Sequence, residues 1–308
     1  SNLSQGRRIC CRPNAVPLAT IPQWRYLSKT TTQHYLDFCK SHKIPPHTVP
    51  INYGTAGRTP RVRYVGHPVL GHWIGDENAD IVVLHFHGRA FALKAGNKHF
   101  EFWHRCMSED NAGGKRKSVA ALMLAYTTIP EKRYPAQICE AAAALTHPDK
   151  STSKSLSKIM LSGDSAGAGL AMSVLSHLLH LHSDIPPVEL TTPLFGALLM
   201  SPWNSIARYA KSDVVPASVL RRWAAVYMGE SNDPQSDSGL VVGDAYTEPF
   251  RNESSWWHGM HRVVDDVLFW YGGEEILLDS IHDLVPLIKQ GWAEGGGEVA
   301  RITVKESP

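Results

Sequence analysis

Cysteine is scarce in this sequence, net charge is small and no apolar stretch is long, and each shortage removes a class of protein. The five cysteines (Cys10, Cys11, Cys39, Cys106, Cys139) are odd in number and never spaced C-x-x-C, which argues against a disulfide framework and against a cysteine zinc site. A reducing compartment, cytoplasmic or facing the cytosol, is the expected home. Lysine and arginine number 31 against 29 aspartates and glutamates, a formal charge of +2. The one short basic run, Lys115-Arg116-Lys117 beside two glycines, predicts a solvated loop, so nucleic acid is not an expected partner. No run approaches the ~18 apolar residues of a spanning helix, and no signal-peptide core opens the sequence. Membrane association is expected only through a segment not in this sequence.

Histidine is plentiful, with 16, but poorly spaced for a metal. His177, His180 and His182 do not converge on one helix face and are predicted at the surface. His85 and His87 share a strand face but lack an evident third ligand. No metal or cofactor is expected.

What is present is a long alternation of strand-length apolar runs and helical patterns. The runs are Ile81–Phe86, Ala120–Tyr126, Lys158–Leu161, Ala197–Met200, Val267–Tyr271 and Ala300–Val304. Helical spacing fills Phe100–Glu109, Pro135–Leu145, Ser165–Leu181 and Leu277–Ala293. Unbroken apolar strands separated by helices predict a mostly parallel sheet covered on both faces. Val49–Tyr53, Arg61–Val65 and Val69–Ile74 predict an antiparallel edge. At 308 residues with 43% hydrophobic content, one domain suffices. Residues 46–204 and 236–308 are expected to form its core. Residues 1–45, with a helix over Thr31–Lys40, and 205–235, with one over Leu220–Tyr227, are expected to cap the C-terminal strand ends, where ligands bind in open α/β sheets.

Gly163-Asp164-Ser165-Ala166-Gly167 carries the chemistry. It reads as a G-x-S-x-G nucleophile elbow, because a strand run precedes it and a helix follows, and because Gly163 and Gly167 let the two approach closely. Ser165 is the candidate nucleophile. A serine hydroxyl needs a base, an acid that orients the base, and donors for the oxyanion it creates. His85-Phe86-His87-Gly88-Arg89-Ala90-Phe91 follows a strand, where an oxyanion loop belongs.

Further patches share one order with a known family. Tyr126-Thr127-Thr128-Ile129-Pro130-Glu131 and Tyr134-Pro135-Ala136 resemble its Y-R-L-A-P-E and F-P-A segments. Asp244, Tyr246, Pro249 and Trp256-Trp257 resemble the stretch before its seventh strand, and Gly272 to Asp279 its G-x-x-D-x-L-x-D acid turn. Across about residues 60 to 305 the chain resembles the hormone-sensitive-lipase-like group of α/β-hydrolases, close to fungal steryl-acetyl-hydrolase-like members.

The resemblance implies an α/β-hydrolase fold with an eight-stranded, mostly parallel sheet and a helical cap. It implies Ser165 as nucleophile, Glu275 as acid, and the N–H groups of Gly88, Arg89 and Ala166 as oxyanion hole, with His87 bracing the loop and Asp164 supporting the elbow. Arg89 replaces a glycine of the family pattern, so a positive φ or a close ligand there would strain or narrow the hole. Glutamate replaces aspartate at 275, and Glu274 competes for the role. The family's histidine follows the eighth strand, which places it just beyond Pro308; His87, His258, His261 and His282 are poor substitutes. The implied activity is hydrolysis of a small hydrophobic ester, an acetylated sterol or a polyketide-like metabolite. Two alternatives stay open: condensation or cyclisation of a polyketide-derived intermediate, and ligand binding without catalysis.

Overall fold

The computed structural model describes residues 28–53, 67–111, 117–147, 155–205, 216–229 and 241–308. Eight strands form one sheet in the order β1-β2-β4-β3-β5-β6-β7-β8: β1 (Thr48–Ile51), β2 (Val69–Ile74), β3 (Ile81–Phe86), β4 (Val119–Ala125), β5 (Ile159–Asp164), β6 (Gly196–Met200), β7 (Val267–Gly272) and β8 (Ile302–Ser307). β2 runs antiparallel to both β1 and β4, and every other pairing is parallel. The expected strand over Arg61–Val65 lies outside the described residues. The eighth strand begins two residues later than its apolar pattern suggests, because Val299–Arg301 form a 3-10 turn.

Apolar side chains on the two sheet faces seed two cores. Val82, Leu84, Phe86, Leu161, Leu199 and Phe269 face one. It is covered by α3 (Ala136–Leu145), α4 (Ala166–Leu179), α5 (Ala217–Met228) and α6 (Leu278–Glu294). Val83, Ala121 and Met123 face the other, beneath α1 (Thr31–His42) and α2 (Asn97–Asn111). On that second face the cover thins past β3, leaving Met160, Leu198, Met200, Leu268 and Trp270 half-buried.

Helix α1 corrects the expected extent of the cap. Thr30 and Gln33 close a capping box at its start, satisfying two backbone donors reciprocally. Its Tyr35 hydroxyl donates to the Trp73 carbonyl on β2 at 2.7 Å, and Tyr35, Phe38 and Cys39 are buried in the second core. A helix whose apolar stripe is Tyr35, Phe38 and Cys39 gains more from burying it on the sheet than from standing over the strand ends.

Register sets the site. Phe86 pairs with Gly163, Asp164 with Met200, Met200 with Trp270, and Gly272 with Ser307. The C-terminal ends of β3, β5, β6 and β7 therefore stand in one row. The loop after β3, Ser165 after β5, Ser201 after β6 and the turn after β7 all emerge on one edge.

Candidate active site

Ser165 sits between β5 and α4 at φ 51 and ψ −118, a conformation a side chain rarely adopts and one that costs of order 1–3 kcal/mol. Its backbone is held on both sides. Ser165 N–H donates to Met200 O at 2.8 Å, and Ser165 O accepts from Trp203 and Gly169 N–H, each at 3.0 Å. The turn requires glycine around it. A Cβ on Gly163 would lie 2.3 Å from the Gly167 carbonyl, and one on Gly167 only 1.9 Å from Phe86 O. The Ser165 hydroxyl caps nothing in α4, and stays available as a nucleophile.

The loop after β3 is bent by three consecutive non-glycine residues at positive φ, Arg89 (74), Ala90 (55) and Phe91 (58). Its carbonyls are fixed by hydrogen bonds, two of them from a distant segment. Tyr126 hydroxyl donates to His87 O at 2.7 Å, Ile129 N–H to Phe91 O at 2.9 Å, and Ala92 N–H to Arg89 O at 3.1 Å. Gly88 N–H is spent on Asp164 Oδ1 at 2.9 Å. That contact shifts the expected donor set by one residue. The N–H groups of Arg89, Ala90 and Phe91 enter no backbone bond; Arg89 and Ala90, next after Gly88, become the loop's candidate donors, and Ala166, first residue of α4, offers a third at a helix N-terminus, where orphan donors collect. The Arg89 side chain turns outward and donates to Lys94 O at 3.0 Å, so it neither fills nor narrows the space before these donors.

Asp164 and a histidine group support loop and elbow together. His85 Nε2 lies 3.3 Å and His99 Nε2 3.6 Å from the Asp164 carboxylate. Burial opposes ionisation of Asp164, but the hydrogen bonds from His85 and His99 outweigh it and hold the carboxyl well below the usual range. His87 is wholly buried, stacked on Tyr126 at 4.3 Å and 12°. Its Nδ1 donates to Gly88 O at 2.9 Å, which leaves Nε2 unprotonated and without a partner. Burial, then the nearby His99, pushes its pKa down to about 3, so it braces the loop as a neutral ring. A cavity of about 190 Å³ opens beside Asp164 against α2, lined by His85, Lys98, His99, Phe102 and Met200.

The turn after β7 presents Glu275 inward, while Glu274 is exposed. Glu275 Oε2 accepts from Ser201 Oγ at 2.5 Å and from Gly272 N–H at 2.9 Å. β8 ends alongside, with Gly273 N–H donating to Ser307 O at 2.8 Å. His258 pairs with Glu294, and His282 with Glu306 near the end of β8; each ring is engaged by a carboxylate other than Glu275. His177, expected at the surface, is buried and bonded to Pro186 O, and His180 bonds Trp256 O. These rings tie the back of α4 to its neighbours.

A family profile described as alpha/beta hydrolase fold matches residues 83–294, more than half of the chain. The chain belongs to that family. An acetyl-hydrolase of Streptomyces hygroscopicus is 28% identical over 266 residues, covering 83% of this chain and 76% of its own length. Steryl acetyl hydrolase 1 of Saccharomyces cerevisiae is 22% identical over 216 residues, covering 66% of this chain and 46% of its own. Among solved structures, an esterase of the bacterial hormone-sensitive lipase family superposes with TM-score 0.57 at 22% identity, over 96% of this chain and 84% of that one. An esterase of Pyrobaculum calidifontis gives 0.60 at 17%, over 94% and 84%.

Within this α/β-hydrolase, Ser165, Ala166 and Arg89 gather at one edge of the sheet, and Glu275 lies in the same row of strand ends. Gly88 and Asp164 bond each other, and His87 backs the loop. Sequence reasoning paired His85 with His87 as loop braces, but it missed Ser201 and His99 as supports and Ala90 as a donor. The available signal for Ser201 was its place directly after the strand beside the nucleophile strand.

Proposed function

We propose that this α/β-hydrolase is a serine carboxylester hydrolase that removes a short acyl group, acetyl above all, from a hydrophobic alcohol. The observation that carries the reading is Ser165 held at φ 51 beside the unspent N–H groups of Arg89, Ala90 and Ala166. A strained residue at a strand end is kept only where the surrounding structure enforces it.

Ser165 Oγ attacks the ester carbonyl carbon while a base takes its proton. The carbonyl oxygen becomes an oxyanion, and the three N–H groups stabilise it. The intermediate collapses, the carbon–alcohol oxygen bond breaks, and the alcohol leaves with the proton. Water then attacks acyl-Ser165 through the same base and frees the acid. Glu275 orients the base. The reading calls for a histidine there, and the position that serves Glu275 is directly after β8, beside the turn that Gly273 anchors to Ser307. An acetyl preference is supported by the two relatives named acetyl-hydrolases. A hydrophobic alcohol, an acetylated sterol or a polyketide-like metabolite, is supported by the relative named steryl acetyl hydrolase.

Labelling with a fluorophosphonate tests the class. The expected result is one adduct, on Ser165, absent from Ser165→Ala, with p-nitrophenyl acetate cleaved faster than the octanoate. A folded native protein that forms no adduct and cleaves neither ester overturns the proposal.

A further inference from the structure

The oxyanion loop contains a conformational problem that its own sequence does not solve. After Gly88 it continues through Arg89, Ala90 and Phe91, all at positive φ, where glycine would be the default residue. The two loop N–H groups that the proposed mechanism uses belong to this stretch. Backbone bonds fix the carbonyls of Arg89 and Phe91. The remaining freedom is held by the Phe91 ring.

That ring lies flat on Tyr227 of α5, with centroids 4.2 Å apart and planes 5° apart. Trp203 stacks beside it at 6.0 Å, and Tyr126 meets it edge-on at 6.0 Å. Phe91, Tyr227, Trp203 and Tyr126 are all buried. Each partner is tied to a different part of the site. Trp203 N–H bonds Ser165 O, Tyr126 hydroxyl bonds His87 O, and Tyr227 O accepts from Tyr134 N–H at 3.0 Å. Tyr227 alone comes from α5, a helix that touches neither nucleophile nor acid by any bond described above.

We propose that Tyr227 is a positioning residue: by stacking on Phe91 it holds the loop in the conformation that aims the Arg89 and Ala90 N–H groups. This rests on the serine hydrolase reading for its catalytic consequence, but not for its structural one. Losing one such donor costs about 10²–10³ in kcat, and a loop that samples the aimed state part of the time loses a fraction of that.

The test compares Tyr227→Phe, which keeps the stack, with Tyr227→Leu, which keeps apolar bulk without a ring. With p-nitrophenyl acetate, Tyr227→Phe is expected within about twofold of wild type. Tyr227→Leu is expected to lose about ten- to hundredfold in kcat with KM within about threefold. A trifluoromethyl ketone, whose adduct with Ser165 carries the oxyanion, should weaken by the same factor, whereas the matching unreactive methyl ketone should not. Hydrogen exchange of residues 88–92 should quicken in Tyr227→Leu and not in Tyr227→Phe. If Tyr227→Leu only lowers thermal stability, with kcat, ketone affinity and loop exchange as in Tyr227→Phe, the residue is core packing and the proposal is wrong. If wild type shows neither hydrolysis nor label, the hydrolase reading fails, and loop exchange alone decides the positioning role. Should Tyr227→Leu not fold, Phe91→Leu breaks the same stack from the loop side.

Discussion

Ser201 donates its hydroxyl hydrogen to Glu275 Oε2 across 2.5 Å, a charge-assisted bond that joins the end of β6 to the acid turn after β7. Ser201 is itself at φ 45, with its N–H on Trp270 O at 2.8 Å, so its hydroxyl has one place to point. Hydrogen bonds to charged groups contribute about 1.5–3 kcal/mol. Ser201→Ala and Ser201→Gly both remove the hydroxyl, while only glycine accepts the φ without strain. Both are expected to lose about ten- to hundredfold in p-nitrophenyl acetate turnover, with Ser201→Gly melting higher than Ser201→Ala. Wild-type turnover in either variant removes Ser201 from the acid's support.

The sheet and the elbow were legible because their determinants are local. The fully buried run Ile81–Phe86 allows no other reading beside helical neighbours, and Gly163 and Gly167 mark a close approach that only glycine permits. The oxyanion loop was legible in place and not in shape. Nothing in Arg89-Ala90-Phe91 encodes three positive φ values, which are imposed by Tyr126, Ile129 and Tyr227 from distant segments. Gly88 was the natural donor by analogy with its glycine-rich relatives, and only the reach of Asp164 across the strand ends reveals that its N–H is taken. The place of α1 was hidden for the same reason: its apolar face was visible, but the surface that receives it is built by β2 and α2.

Gly167→Ala should disable the fold as well as the reaction. Its Cβ would fall 1.9 Å from Phe86 O and 2.6 Å from His87 O, and a backbone carbonyl inside a paired strand cannot move aside. A loss of about 3 kcal/mol or more is expected from such overpacking, a drop in melting temperature of about 5 °C or more for a chain of this length. Gly259→Ala is the control, with positive φ 81 but nothing within 4 Å of its Cβ, and should cost only about 1–2 kcal/mol. Melting both variants separates steric exclusion from backbone strain; equal melting temperatures contradict it.

Asp164 links the elbow to the oxyanion loop through charge. Asp164→Asn keeps one oxygen for Gly88 N–H but gives up the carboxylate that His85 and His99 face, and Asp164→Ala gives up all three contacts. Turnover should fall in the order wild type, Asn, Ala. The carboxyl is depressed in the folded protein, so it stabilises the fold above its unfolded value of about 3.9, and that contribution is lost as pH falls further. Melting curves from pH 5 to pH 3 should therefore drop more steeply for wild type than for Asp164→Asn. Parallel curves would mean that the pair adds nothing to stability.

Acid sensitivity at milder pH has a different source, and His72 isolates it. This ring is wholly buried, 3.1 Å from Thr32 Oγ1 and 2.9 Å from Thr48 Oγ1, and burial pushes its pKa down to about 4. In the unfolded chain an ordinary histidine takes up its proton near pH 6.5. Between those two values the unfolded state binds the proton and the folded state does not, so stability falls as pH falls, by up to about 1.4 kcal/mol per pH unit for each such ring. Burial lowers His85 and His87 in the same direction, and the three together make the fold lose stability from pH 6.5 downward, well before the carboxylates titrate. His72 is remote from Ser165 and Glu275 in the sheet, so His72→Gln, which still offers hydrogen-bonding groups to both threonines, changes the slope without touching the nucleophile. Denaturant unfolding at pH 6.5 and pH 4.5 should show a smaller stability difference for His72→Gln than for wild type. A difference unchanged by the substitution would show that the ring is protonated within the folded protein, and that its two threonine neighbours do not enforce the neutral form.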